Sequence, residues 1–213
     1  MSFRRLTFII AAVVEATGAA SLTAALVAAI YGEWSDATAI TIAGLSVVLV
    51  ADLVRRSSTP RAEMTTREGF AAVALSWFAM AFVGTLPYLV TGSVTGLTDA
   101  FFETAAGFTT TGSSIIPDPG LLSHGVLWWR ALTQWMGGMG IIVLSIAILP
   151  LLGTGGVQLA RAESPGPTPD RLTPRFRETA KRLWLVYVGL TVAEAALLTL
   201  TDMSPFDAIT HAF

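Results

Sequence analysis

Residues Leu97–Ile116 read LTDAFFETAAGFTTTGSSII. An amphipathic segment, Leu97 to Gly107, leads into a hydroxyl-rich run of Thr109, Thr110, Thr111, Gly112, Ser113 and Ser114. Pro117, Asp118, Pro119 and Gly120 then make a turn, and long apolar stretches lie on both sides. As a helix, Leu97–Gly107 would be about 16 Å long, enough to enter half of a bilayer's hydrocarbon and stop. Thr98 suits an N-cap and Asp99 the positive end of the helix dipole, so the carbonyl end would point inward, where it favours a cation. Non-helical backbone at that depth is tolerated only when buried in protein or lining a water-filled path. Thr109, Thr110, Thr111, Gly112 and Ser113 would supply such backbone. Rings of main-chain carbonyls can replace the water shell of a potassium ion. Gly112 can take the backbone angles that orient them, and hydroxyls of Thr110, Thr111, Ser113 and Ser114 can add ligands or brace the strand. The competing reading is an ordinary polar loop between helices.

The 213 residues are 53% hydrophobic and 13% charged, with a mean hydropathy of +0.65. A soluble domain averages about 25% charged residues, so this chain has too few to coat a globule and reads as an integral membrane protein. Cysteine is absent, which excludes disulfides, thiolate metal sites and thiol nucleophiles. No Ser/His/Asp set, metal cluster or convergent carboxylate pair is legible, so the chain does not read as an enzyme. The apolar run Leu6–Tyr31 is longer than the roughly 7–15 residues of a signal-peptide core and reads as a retained helix.

A spanning helix needs about 20 apolar residues, and five segments qualify: Leu6–Tyr31, Ala37–Val54, Gly69–Val90, His124–Leu152 and Leu183–Thr201. Lys and Arg near helix ends stay cytoplasmic. Arg4 and Arg5 precede the first span, and Arg55, Arg56, Arg61 and Arg67 follow the second. Arg161, Arg171, Arg175, Arg177, Lys181 and Arg182 lie between the fourth and fifth. All of these fall on one side, with a cytoplasmic N-terminus, only if Leu97–Ile116 does not cross. Arg130 is left over near the outer end of the fourth helix. Glu33, Asp36, Asp99, Glu103, Asp118, Asp202 and Asp207 fall outside, so that face should concentrate cations.

The run Phe206–Phe213 restates Thr98–Ala105 without a gap, and the fifth span precedes it as the third precedes the first copy. An all-α membrane fold follows: a helix–pore-loop–helix repeat of the potassium-channel-like type, preceded by an extra transmembrane hairpin. The expected divisions are a helix pair over 1–56, a cytoplasmic linker over 57–68 and a first repeat over 69–153. A second linker covers 154–182, and a second repeat begins over 183–213. Continued past Phe213, the gapless repeat would place a glycine matching Gly112 seven residues on.

The block Gly107–Ser114, the block from Trp129 to Leu144 (WRALTQWMGGMGIIVL), and the segments Ile148–Gly153, Arg161–Pro167 and Glu178–Lys181 resemble the TrkH/TrkG type of bacterial potassium-uptake protein, within the Trk/Ktr/HKT superfamily. The fourth-helix block is the most specific part. The resemblance implies four helix–pore–helix repeats around one pore, potassium uptake across the bacterial inner membrane, and potassium as substrate without a bound cofactor. It also implies a homodimer in the lipid bilayer and a TrkA-like cytosolic nucleotide-binding regulatory subunit, with no nucleic acid. Thr110, Thr111, Gly112 and Ser113 match the first filter, and Thr110, Thr111 and Gly112 would meet potassium through backbone carbonyls. A single repeat leaves a second class of function open, a non-conducting assembly or regulatory subunit, or an inert fragment.

Gly137, Gly138 and Gly140 suit either close helix contact or a hinge beside the pore. Gly153, Gly155 and Gly156 lack the Lys-Ser/Thr pair of a phosphate loop. Glu15 and Glu194 are ionisable groups in apolar helices, either functional or structurally paired. His124 and His211 read as helix-end residues. Arg130, beside Trp128 and Trp129, reads as an anchor at the outer interface. The basic run Arg171–Arg182 reads as a lipid-headgroup contact or a docking surface for the regulatory ring.

Overall fold

A computed structural model describes residues 3–58, 66–148 and 172–213, all of its regular structure helical. The order is α1 (Phe3–Ile30), α2 (Trp34–Arg56), α3 (Thr66–Val83), α4 (Leu86–Thr91) and α5 (Leu97–Phe108). A 3₁₀ turn (Pro119–Leu121), α6 (His124–Ile148), α7 (Leu172–Thr199) and α8 (Pro205–Ala212) follow. Arg61, Arg161, Arg171, the glycines at 153, 155 and 156, and most of the linker expected over 154–182 lie outside the described residues. Among the described residues, four helical segments have the length and apolarity to cross a membrane: Arg4–Ile30, Trp34–Arg56, Arg67–Thr91 and Glu178–Thr199. α6, at 25 residues, has the length as well.

The chain divides into two units, Met1–Gly137 and Gly138–Phe213. In the first, α1 and α2 form an antiparallel hairpin held by small residues. A Cβ on Gly18 would lie 2.7 Å from Val47 Cγ1, and one on Gly44 would lie 2.6 Å from Ser21 Oγ, so the helices approach as only glycine permits. At the other end of the hairpin, Arg55 Nε pairs with Glu15 Oε2 at 2.6 Å while Asp52 holds Arg55 and Arg56. Glu15 is thereby a structural partner inside the helix pair.

The third apolar segment, expected as one helix, breaks into α3 and α4. Pro87 explains the break, because its ring clashes with the carbonyl four residues back and it has no N–H to donate. The buried turn is satisfied locally: Gly84 N donates to Met80 O at 2.8 Å and Thr85 Oγ1 to Phe82 O at 2.7 Å. The Gly84 carbonyl accepts from the buried Trp129 Nε1 of α6 at 2.9 Å. A fully buried indole thus satisfies a carbonyl within the break.

The turn between α1 and α2 completes a helix far away in sequence. Glu33 accepts from the backbone N–H of His124 at 2.8 Å and of Gly125 at 3.1 Å, and pairs with His124 Nδ1 at 2.8 Å. These are orphan donors at the start of α6, and a carboxylate there also meets the positive end of the dipole. Tyr31 stacks on the His124 ring, centroids 3.7 Å apart.

In the second unit α7 and α8 pack together, and a Cβ on Gly138 would lie 2.6 Å from Tyr187 Oη. The start of α8 repeats the start of α5 in detail. Ala208 N donates to Ser204 O at 2.9 Å and Ala100 N to Gly96 O at 2.8 Å, and both alanines are fully buried. Ser204 also accepts from Asp207 N at 3.1 Å. His211 lies in the last turn of α8 and its Nδ1 meets Asp207 O at 2.8 Å.

Burial pushes the Glu33 carboxyl up, but the hydrogen bonds from His124 and Gly125 outweigh it, and its pKa lies below the ordinary 4.5. A depressed carboxylate contributes stability above its unfolded pKa and loses it as pH falls through the folded one. Glu33→Gln should therefore cost about 1 kcal/mol, as for a lost cap, in thermal melts of the purified protein in detergent near pH 7. The gap between wild type and variant should close as the pH falls below about 4.

Candidate functional site: the turn after α5

α5 has 12 residues, about 18 Å, which cannot cross a hydrocarbon core of about 30 Å. Its N-cap is Gly96 in extended conformation, not Thr98, and no side chain caps it. The extended Gly96 lets its own carbonyl start the helix two residues earlier than Thr98 could. Asp99 does lie in the first turn.

The other end of α5 closes on itself. Thr110 N donates to Gly107 O at 2.9 Å and Thr111 N to Ala106 O at 3.0 Å, the paired bonds of a Schellman motif. Thr110 occupies the left-handed position with φ 54°, where glycine is usual and a β-branched residue is an outlier. Gly112 is left-handed as well, φ 73°, and a Cβ there would meet nothing within 4 Å. Thr109 Oγ1 bonds Ala105 O at 2.7 Å and lies 2.8 Å from Thr111 Oγ1. Residues 109–115 are all exposed. The expected filter residues Thr109, Thr110, Thr111, Gly112 and Ser113 thus form one continuous exposed turn, irregular rather than a regular strand.

What holds this turn is Glu103, one helical turn and a half earlier on α5. Its side chain is 2% exposed and pairs with Arg130 Nε of α6 at 2.9 Å. Ser114 Oγ donates to both carboxylate oxygens at 3.0 Å, and Ile115 N donates to Oε2 at 3.0 Å. Glu103, expected among the cation-concentrating acids of the outer face, and Arg130, expected as an interfacial anchor, are instead paired with each other. The acid is buried and its charge is taken by the arginine, because a carboxylate stripped of water must be paired or neutralised. Glu33 is likewise engaged with His124. The available signal was Arg130, the one Lys or Arg of α6, twenty-seven residues after an acid on the apolar α5.

α6 is drawn tight against the end of α5. A Cβ on Gly137 would collide with the Phe108 backbone carbonyl, and one on Gly107 with Thr133 Oγ1. Phe108 is 1% exposed and meets Trp129 edge to face, centroids 6.4 Å apart. Of the two readings of Gly137, close contact is the one its surroundings support. Among the described residues no group of three or more His, Cys, Asp or Glu could hold a metal ion.

A family model described as TrkH, cation transport protein, matches residues 36–211. The chain is 42% identical, over all of its length, to the Trk system potassium uptake protein TrkH of Escherichia coli strain K12, and spans 44% of that relative. It is 48% identical over 72% of its length to the TrkH of Halomonas elongata, spanning 32% of it. The crystal structure of the potassium transporter TrkH from Vibrio parahaemolyticus superposes with a TM-score of 0.84 at 35% identity, covering all of this chain and 42% of that one. The chain thus spans less than half the length of the relatives it matches. Its spanning helices and these likenesses make it a multi-pass membrane protein, and the chain belongs to the TrkH family of cation transport proteins.

Proposed function

We propose that this chain supplies the first pore repeat and selectivity-filter segment of a Trk-type monovalent cation transporter that takes up potassium across the bacterial inner membrane. The observation that carries the reading is the turn after α5. A helix too short to span ends in a closed cap and presents Thr109–Ser113 as exposed backbone, braced from behind by Glu103. Left-handed Thr110 and Gly112 flank Thr111. Reversing the handedness at every second residue lets successive peptide units turn the same way, whereas an extended chain alternates them. Carbonyls of Thr110, Thr111 and Gly112 would then face one ion path together, replacing the water shell of potassium, with the carbonyl end of α5 adding partial negative charge.

Potassium uptake is the activity that the relatives' names carry, and it fits this chemistry. At −100 mV an inward charge gains about 2.3 kcal/mol, so accumulation needs selectivity more than an energy source in this chain. The repeat over 69–153 and the start of a second over 183–213 are supported by the matching starts of α5 and α8. One such turn is one wall of a pore, and further repeats would complete it. The basic residues at one end of the spans favour a cytoplasmic N-terminus. A homodimer and a TrkA-like regulatory partner belong to the same reading, and the "Trk system" name of the relatives supports the second of these.

Gly112→Asp in the full-length transporter should abolish potassium uptake by cells lacking other potassium systems, at unchanged membrane abundance. The aspartate would carry a Cβ at a left-handed position and a charge into the path. Uptake at the wild-type rate would sink the filter reading and favour a non-conducting assembly subunit. Glu103→Gln leaves Arg130 facing a neutral partner. It should lower thermal stability by less than the about 3–5 kcal/mol of a fully buried broken pair, because Arg130 stays 23% exposed, and should reduce uptake in parallel.

A further inference from the structure

Tyr88 carries a polar atom that the packing described so far does not use. The residue is 0% exposed and lies on α4, which packs on α5. Its phenol is within electrostatic reach of both Glu103 and Arg130, yet its hydroxyl has no direct hydrogen-bond partner among the described residues. Phenylalanine would fill the same space without a polar group to desolvate, so an idle hydroxyl here would be a net cost to the fold. The Glu103 carboxylate has room for another donor. Ser114 has a single hydroxyl proton to share between two oxygens, Ile115 N takes one site and Arg130 Nε another, and an ionised carboxylate offers about four lone-pair sites. Buried water settles where two to four such polar groups converge.

We infer that Tyr88 is a positioning residue for the filter segment, its hydroxyl joined to the Glu103–Arg130 pair through an enclosed water. Through that water the phenol fixes the carboxylate, and the carboxylate fixes Ser114 and Ile115. The functional consequence rests on the filter reading above; the coupling of Tyr88 to Glu103 does not.

Tyr88→Phe conserves volume and is tested in the full-length transporter alongside Glu103→Gln and the double variant, by thermal melting in detergent and by potassium uptake kinetics with sodium as competitor. Tyr88→Phe should lower the melting midpoint by about 2–4 °C. It should also raise the KM for potassium severalfold with maximal rate near wild type, and weaken discrimination against sodium. In the Glu103→Gln background it should have no further effect on either readout. A midpoint at or above wild type would mean that the hydroxyl is idle and would overturn the inference. A lower midpoint with unchanged KM and discrimination would overturn it too, since a packing role alone does that. Gly112→Asp in the same assay separates the two ideas. If uptake survives that change, the filter reading fails, and the melting cycle still decides whether Tyr88 and Glu103 are coupled.

Discussion

A carboxylate at 2% exposure survives only if its charge is answered on every side, and Glu103 is the point where this part of the molecule meets that demand. Arg130 brings α6 to it, Ser114 and Ile115 bring the chain that has left α5, and α5 itself supplies the acid. Isolated, each of these groups would be expensive to bury. Together they fix the relation between a half-length helix, the irregular backbone that follows it and the helix behind. The exposed turn needs this, because Thr109–Ser113 has no ladder of its own and is defined by what lies at its two ends.

The rest of the packing serves the same geometry. α6 must come close enough for its arginine to reach, and Gly137 and Gly107 remove the side chains that would keep it away. It must also be held in register, and Trp129 does so through the Gly84 carbonyl. That carbonyl lies where Pro87 interrupts the preceding helix. A proline on α4, an indole on α6 and a carboxylate on α5 thus share one corner of the fold.

Much of this was legible in the residues. The spans followed from length and apolarity, the short helix from the polar run that stops it, and the exposed turn from Thr109–Ser113 with a glycine at Gly112. The left-handed Thr110 was not legible, because a β-branched residue is a poor advertisement for that conformation and takes it only under the cap's paired hydrogen bonds. The pairing of Glu103 with Arg130 was missed for a different reason. Charge near a membrane surface reads as solvated until packing shows that water has been removed, and a single sequence carries no direct signal of burial. The break at Gly84 was foreshadowed by Pro87, but hydrophobicity summed over a window hides a kink. The Glu33 cap spans 91 positions and has no local signature at all.

That cap bears on the order in which the protein is made. A nascent chain grows at about 5–20 residues per second, so Glu33 emerges some 5–20 s before the helix whose first amides it will occupy. The start of α6 therefore arrives to find its anion already waiting on a completed hairpin, beside the Tyr31 ring on which His124 will stack. The α1–α2 pair acts in that interval as a template, giving a glycine-rich helix a defined landing point at its first turn. Shortening the chain from its front would remove more than two helices: it would leave α6 to insert with its amides unsatisfied.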